Sequence, residues 1–292
     1  MNLPPSGGEG RPSSRAATWI AALDAACDAI AVALADLPPA ERRRELSRGA
    51  GGDISVEVDL LAEQLIVDGL DAVAEQEGGF TVIAEERGEQ VVGAGGPPLA
   101  VIDPIDGSLN AKRGMPAFST SVAVADGPDM GDVWLGYVRD LGTGVTYVAE
   151  RGRGAWTQAG PLRCAAADAP LELIAFEGAS PERIARAAAG LAGEVDRLRV
   201  VGSLALSLCA VASGACDGMA GLTRARPVDT AAAQLIAQEA GAIVGMPGPE
   251  DVEGTSLDLA VRHPIVAARD PEVLEVVRAA VPAASGQRLH VD

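Results

Sequence analysis

The chain has 292 residues, 48% of them hydrophobic, which is enough for one large domain or two closely packed ones. Its 23 basic and 41 acidic side chains leave a formal charge of −18, a balance that repels nucleic acid and anionic membrane surfaces over long range. Four scattered cysteines without a CxxC pair, and only two histidines, His263 and His290, argue against a zinc site, a disulfide framework and Cys–His or Ser–His catalysis.

Residues 1–16 are rich in Pro, Gly and Ser and lack the pattern of a signal peptide, so they read as a disordered tail. No apolar run approaches the ~20 residues that span a bilayer, which points to a cytoplasmic protein without membrane association. Apolar residues at helical spacing predict a helix over Ala17–Leu37, ending before Pro38, and a second over Asp59–Glu75. Short strands are expected at Phe80–Ala84 and Leu99–Ile102. Alternating strands follow at Phe118–Ala125, Asp132–Arg139 and Gly144–Ala149. Beyond a seam near residues 155–165, strands and helices alternate. Strands are predicted at Leu171–Phe176, Arg197–Val201 and near Gly218; helices are predicted at Pro181–Leu191, Ser203–Ser213 and Asp229–Ala240. The expected class is therefore α/β, with an α+β half over 17–158 and an α/β half over 159–292.

The segment Val101-Ile102-Asp103-Pro104-Ile105-Asp106-Gly107-Ser108 is the most informative. A buried strand delivers two carboxylates to its end, Pro104 fixes the backbone between them, and Gly107 permits a sharp turn. Both carboxylates and the Ile105 carbonyl can then face one volume, which suits oxygen-seeking Mg²⁺. A helix opening at Ser108 would point free N–H groups the same way, as a phosphate requires. Taken alone the segment reads equally well as an Asp-rich turn with a helix cap. Glu85-Glu86 end the preceding strand, where adjacent strands would bring Glu85 beside Asp103. As isolated features they read as surface charge. Asp59 and Asp229 each stand at a predicted helix start, where a capping role is the ordinary one. Cys209 and Cys216, among small apolar residues, read as packed thiols.

These pieces together resemble the inositol monophosphatase superfamily. Asp103-Pro104-Ile105-Asp106-Gly107-Ser108 is similar to its DP(I/L)DG(T/S) signature, and Val228-Asp229-Thr230-Ala231-Ala232 with Glu239-Ala240-Gly241 to its second. Ala84-Glu85-Glu86 resembles its GEE element, Gly152-Arg153-Gly154-Ala155 its GxGA turn, and Gly202-Ser203-Leu204-Ala205 a GSxA element on the substrate side. The elements occur in family order from about residue 20 to 270. The resemblance implies a layered α-β-α-β-α sandwich of the sugar phosphatase type, two or three Mg²⁺ ions and a homodimer. It implies that Glu85, Asp103 and the Ile105 carbonyl hold one ion, and that Asp106 and Asp229 join Asp103 around another. Ser108 would orient the attacking water, Asp59 would hold Ser108, and Glu85 would act on that water as well. Asp106, Gly107, Ser108, Gly202, Ser203 and Asp229 would contact substrate.

The implied activity is Mg²⁺-dependent hydrolysis of a small phosphorylated metabolite. Ser108 to Pro116 resembles the archaeal-type branch, which acts on inositol monophosphate, fructose 1,6-bisphosphate or both. Leu222 stands where the monophosphatase branch has an acidic residue for inositol hydroxyls, and Val228 where it has Trp. Fructose 1,6-bisphosphate and 3′-phosphoadenosine 5′-phosphate are therefore alternative substrates. Arg224 and Arg226 could meet a second phosphate, although a surface role is the first expectation for both. A non-catalytic relative would lack a metal carboxylate, and none is missing at Glu85, Asp103, Asp106 or Asp229.

Overall fold

The computed structural model describes residues 12–36, 45–48, 50, 54–178 and 180–281; most of the expected tail, and His290, lie outside them. In chain order the elements are α1 (Ser14–Asp36), β1 (Glu45–Arg48), β2 (Ile54–Val56), α2 (Glu57–Gly69), α3 (Asp71–Glu77), β3 (Gly79–Ala84), β4 (Gly88–Gly93), β5 (Leu99–Asp106) and α4 (Ser108–Arg113). Then come β6 (Ser119–Ala125), β7 (Val133–Asp140), β8 (Thr146–Glu150), β9 (Gly154–Thr157) and β10 (Gly160–Pro161). The remainder comprises β11 (Leu173–Glu177), α5 (Pro181–Gly190), β12 (Arg197–Arg199), α6 (Leu204–Ala212), β13 (Gly218–Gly221), α7 (Pro227–Glu239), β14 (Ile243–Gly245), β15 (Val266–Ala268) and α8 (Pro271–Ala280).

Two mixed sheets organise these elements. The first has eight strands in the order β10-β9-β8-β7-β6-β5-β3-β4, and the second has five in the order β12-β11-β13-β15-β14. Side-chain alternation builds three apolar clusters from them. On β5, Ala100 and Ile102 face the cluster containing α1 and α2, whereas Val101 faces the one containing α6 and α7. On β11, Ala175 faces α6 and α7 from the other side, whereas Ile174 and Phe176 face α5 and α8. The layers are thus α-β-α-β-α, as the resemblance implied.

The central layer explains the small-residue sequences of its helices. Helix α7 is buried around most of its circumference between two sheets, which requires an apolar surface on all sides. Its alanines, Ala231, Ala232, Ala233 and Ala237, let both sheets approach closely. At Gly136 of β7 the approach is tightest, because a Cβ there would stand 2.4 Å from the Ala232 carbonyl oxygen.

Several elements depart from the sequence reading. Helix α1 takes in Ser14–Ala16, which the tail assignment had excluded, because the Ser13 hydroxyl accepts the Ala16 amide and Arg15 pairs with Glu77 and Asp126. By length and composition α1 could cross a membrane, contrary to the sequence expectation. Here its Trp19, Leu23, Cys27 and Ile30 face is packed into the core, and Arg139 pairs with its Asp24 and Asp28. The single helix expected over Asp59–Glu75 is two, α2 and α3, divided at Leu70. Gly69, just before the break, lies where a Cβ would press on Ala26 of α1 at 3.2 Å. Strand β4, not expected from sequence, pairs antiparallel with β3 across the three-residue turn Glu85-Glu86-Arg87.

Because the contact at Gly136 is with backbone rather than a movable side chain, Gly136→Ala should destabilise the fold by about 1–3 kcal/mol. Thermal or urea unfolding measures this; an unchanged midpoint would contradict the close sheet–helix contact.

Candidate metal centre and active site

The site forms where three chain segments meet. Strands β3 and β5 run parallel, with Ala84 opposite Ile102, so their next residues, Glu85 and Asp103, emerge side by side. Between Asp103 and Asp106 the pairing partner on β6 moves only from Ser121 to Ser119, so β5 carries one extra residue as a bulge. Residues three apart on a regular strand face opposite sides. The bulge at Pro104-Ile105, braced by the Thr120 hydroxyl on the Pro104 carbonyl at 2.9 Å, lets Asp103 and Asp106 border one cavity. Gly107 then turns the chain with φ +88°, and a Cβ there would sit 2.9 Å from the Gly202 carbonyl oxygen and 3.0 Å from that of Ala117. Glycine is required at that position on both counts.

The third segment is the first turn of α7. Asp229 is its third residue, and the helix cap is Arg226, a correction to the capping role expected for Asp229. Its carboxylate accepts the Arg226 amide at 2.9 Å. Asp59 likewise is the third residue of α2 and not its cap. One ligand oxygen from each of Glu85, Asp103 and Asp229 lies within 4.8 Å of the others. A trio of carboxylate oxygens at that spacing, with a backbone carbonyl segment beside it, matches the donor chemistry of Mg²⁺.

A cavity of about 100 Å³ opens on Glu85 and Asp103 and is lined by Asp59, Glu85, Glu86, Asp103, Pro104, Ile105, Asp106, Gly107, Ser108 and Arg226. A second, of about 220 Å³, adjoins it and is lined by Asp106, Glu177, Gly178, Gly202, Leu204, Gly221, Thr223, Arg224, Ala225, Arg226 and Asp229. The structure therefore gathers Glu85, Asp103, Ile105, Asp106, Asp59 and Ser108 at one opening, and places Gly202 and Asp229 at the next. Ser108 is exposed at the first position of α4, a helix of only six residues.

Asp106 is set apart from the trio. The Ser203 hydroxyl donates to it at 2.5 Å and the Ala205 and Leu204 amides at 2.8 and 3.3 Å, so the start of α6 holds it. Ser203 is buried and caps α6 through the Leu206 amide. Glu177, which sequence reasoning missed, accepts the Val201 and Gly202 amides and the Ser207 hydroxyl. Its signal was available: like Glu85, it is a carboxylate ending a buried apolar strand.

Arg226 is a correction rather than an omission. Expected at the surface, it is instead largely buried, with Nη1 2.5 Å from Glu85 and Nη2 3.0 Å from Asp229. Although burial disfavours its charge, Asp229 and Glu85 raise the guanidinium pKa above its ordinary value. Arg224 is exposed at the second cavity. Leu222 and Val228 pack into apolar clusters. Cys209, Cys216 and His263 are buried, and His263 meets the Thr230 hydroxyl at 3.1 Å.

Burial dominates the electrostatics. It pushes the Glu85 and Asp106 carboxyls up to about 7 and Asp103 well above the usual carboxylate range. Neighbouring carboxylates raise all three further. Arg226 opposes the rise at Glu85 and Asp103, and the Ser203 hydroxyl opposes it at Asp106. Such a concentration of buried negative charge calls for a cation.

Fold and site together define a metal-dependent phosphomonoesterase. The inositol monophosphatase family model matches residues 16–284, and the chain belongs to that family. It is 31% identical over 242 residues to the fructose-1,6-bisphosphatase/inositol-1-monophosphatase of Methanothermobacter thermautotrophicus, covering 80% of this chain and 85% of that one. It resembles the solved SuhB of Mycobacterium tuberculosis at 31% identity and TM-score 0.60, over 76% of this chain and 82% of that one. An IMPase of Thermotoga maritima superposes with TM-score 0.70 at 25% identity, over 89% of this chain and 95% of that one.

A divalent ion at the trio would displace the proton that Glu85 holds below about pH 7, while burial and the neighbouring carboxylates also raise Asp103. Apparent Mg²⁺ affinity should therefore rise with pH between about 6 and about 8, as isothermal titration can measure. Affinity independent of pH over that range would contradict the shifted carboxyls.

Proposed function

We propose that this protein hydrolyses a small phosphomonoester with two or three Mg²⁺ ions, one of them held by Glu85, Asp103 and Asp229. The convergence of those three carboxylates, from two strands and a helix in different halves of the chain, carries the reading. When bound, Mg²⁺ polarises the phosphoryl group and makes a water nucleophilic near neutral pH. The chain's residues do the rest. Asp103 and the Ile105 carbonyl hold one side of the centre, and Asp106 joins Asp103 and Asp229 around a second ion. Glu85 takes the proton of the attacking water. Ser108 orients that water at the cavity edge, supported by Asp59 on the same wall. Gly107, Gly202 and Ser203 shape the side on which substrate rests.

The second cavity favours a substrate with a further anionic or polar group. Arg224 and Thr223 border it, and Leu222, partly buried against an apolar cluster, is not among its lining residues. That composition supports a fructose 1,6-bisphosphate-like sugar bisphosphate as a second reading beside inositol phosphate. The relative named for both activities agrees with it. A cytoplasmic homodimer belongs to the same proposal.

Two measurements test it. Phosphate release with Mg²⁺ across inositol 1-phosphate, fructose 1,6-bisphosphate, 3′-phosphoadenosine 5′-phosphate and histidinol phosphate should identify at least one substrate. Asp103→Asn should lower kcat/KM on it by about 10³-fold or more, the several kcal/mol a catalytic metal supplies, with circular dichroism unchanged. Full activity in that variant would remove Asp103 from the metal centre. Separately, Arg224→Ala should raise KM for a bisphosphate by about tenfold and leave a monophosphate little affected, since one exposed charge-assisted contact is lost. Equal effects on both substrates would place the second anionic group elsewhere.

A further inference from the structure

Arg226 is a cation already installed in a site that must receive cations. Its guanidinium spans two of the three trio members, Glu85 on the turn after β3 and Asp229 on α7. The two pairings differ in what holds them. Asp229 lies three residues away in the same helical turn and also accepts the Arg226 amide. Glu85 lies 141 residues away in the chain, on the other sheet's turn, so that contact depends on the assembled centre alone.

The trio's oxygens are the same set that would surround a divalent ion. A guanidinium donating to Glu85 uses a carboxylate that the ion needs, and its positive charge at contact distance opposes the approach of a second cation. Without it, however, three carboxylates would be crowded in a buried space with no positive side chain against them among the described residues. Both effects follow from one position, and they act in opposite directions on the metal-free and the metal-bound protein.

We propose that Arg226 is an internal counter-cation: it holds the metal-free centre together and competes with the divalent ion for Glu85, thereby setting metal affinity. The proposal rests on the reading of Glu85, Asp103 and Asp229 as a metal centre. A residue that only pre-arranged these carboxylates would do the reverse, since its removal would weaken metal binding. Arg226 is therefore a positioning residue whose sign of effect can be read without turnover.

The test is isothermal titration of Mn²⁺ alone into the full chain, its Arg226→Met and Arg226→Lys variants, and Asp103→Asn, with melting points in chelator and in saturating Mn²⁺. Methionine keeps the apolar stem and removes the charge. Arg226→Met should bind Mn²⁺ about tenfold more tightly, the scale of one charge-assisted contact no longer in competition. Its melting point should fall in chelator and recover with Mn²⁺. Arg226→Lys should tighten binding by a smaller factor, because an ammonium lacks the fork that reaches both carboxylates. Should the methionine variant fail to fold without metal, the lysine variant decides. Unchanged or weaker Mn²⁺ binding in these variants overturns the proposal while leaving the metal centre standing, provided wild type binds and Asp103→Asn does not. No binding by wild type overturns the metal centre and the proposal with it.

Discussion

The mutual repulsion of buried carboxylates at the junction of the two sheets governs the arrangement around it. Glu85, Asp103, Asp106 and Asp229 come together in space that burial makes unfavourable for charge, and the first three are driven towards protonation. Each carboxylate has its own answer to that cost. Asp106 is held by the start of α6, Asp229 by the Arg226 amide and guanidinium, Glu85 by the other arm of that guanidinium, and Asp103 by the Ile105 amide at 3.0 Å. These hydrogen bonds orient the groups while leaving a concentrated negative field that a divalent ion satisfies.

The layered fold provides the rigidity that such a site demands. Helix α7 lies in the central layer with both sheets against it, so Asp229 stands on an element fixed from two sides. Glu85 directly follows β3 and Asp103 lies within β5, neighbouring parallel strands that are each paired on both sides in the eight-stranded sheet. Carboxylates anchored to paired strands, a tight turn between them and a packed helix keep their spacing better than carboxylates on long loops. The second sheet contributes by a different route. Glu177 at the end of β11 holds the Val201-Gly202 turn, and that turn brings Ser203 to Asp106. A line of hydrogen bonds thus links Glu177 in the second cavity to Asp106, which borders both cavities.

The strands and the central helices were legible because their patterns are strong: alternation in β6 and β7, and small apolar runs in α6 and α7. Glu85 beside Asp103 was legible too, once β3 and β5 were taken as neighbours ending on one edge. What escaped were features that depend on pairing rather than on pattern. Strand β4 alternates polar residues at an edge and looks like a loop until β3 is present to pair with it. The break between α2 and α3 reflects the close passage of α1 at Gly69, a tertiary constraint. Arg226 looked like surface charge because nothing local shows that Glu85, so distant in sequence, lies against it. The bulge at Pro104-Ile105 is a similar case, since it shows only in the pairing with β6, although the common orientation of Asp103 and Asp106 was legible from Pro104 and Gly107.

The central claim is that Glu85, Asp103 and Asp229 form a divalent-cation site. A crystal grown with Mn²⁺, with anomalous diffraction collected at the manganese edge, tests it most directly. The account predicts an anomalous peak among those three carboxylates, with oxygen ligands at metal-binding distance from each. Manganese found only on the acidic surface, with the trio unoccupied in an otherwise unchanged fold, would contradict it.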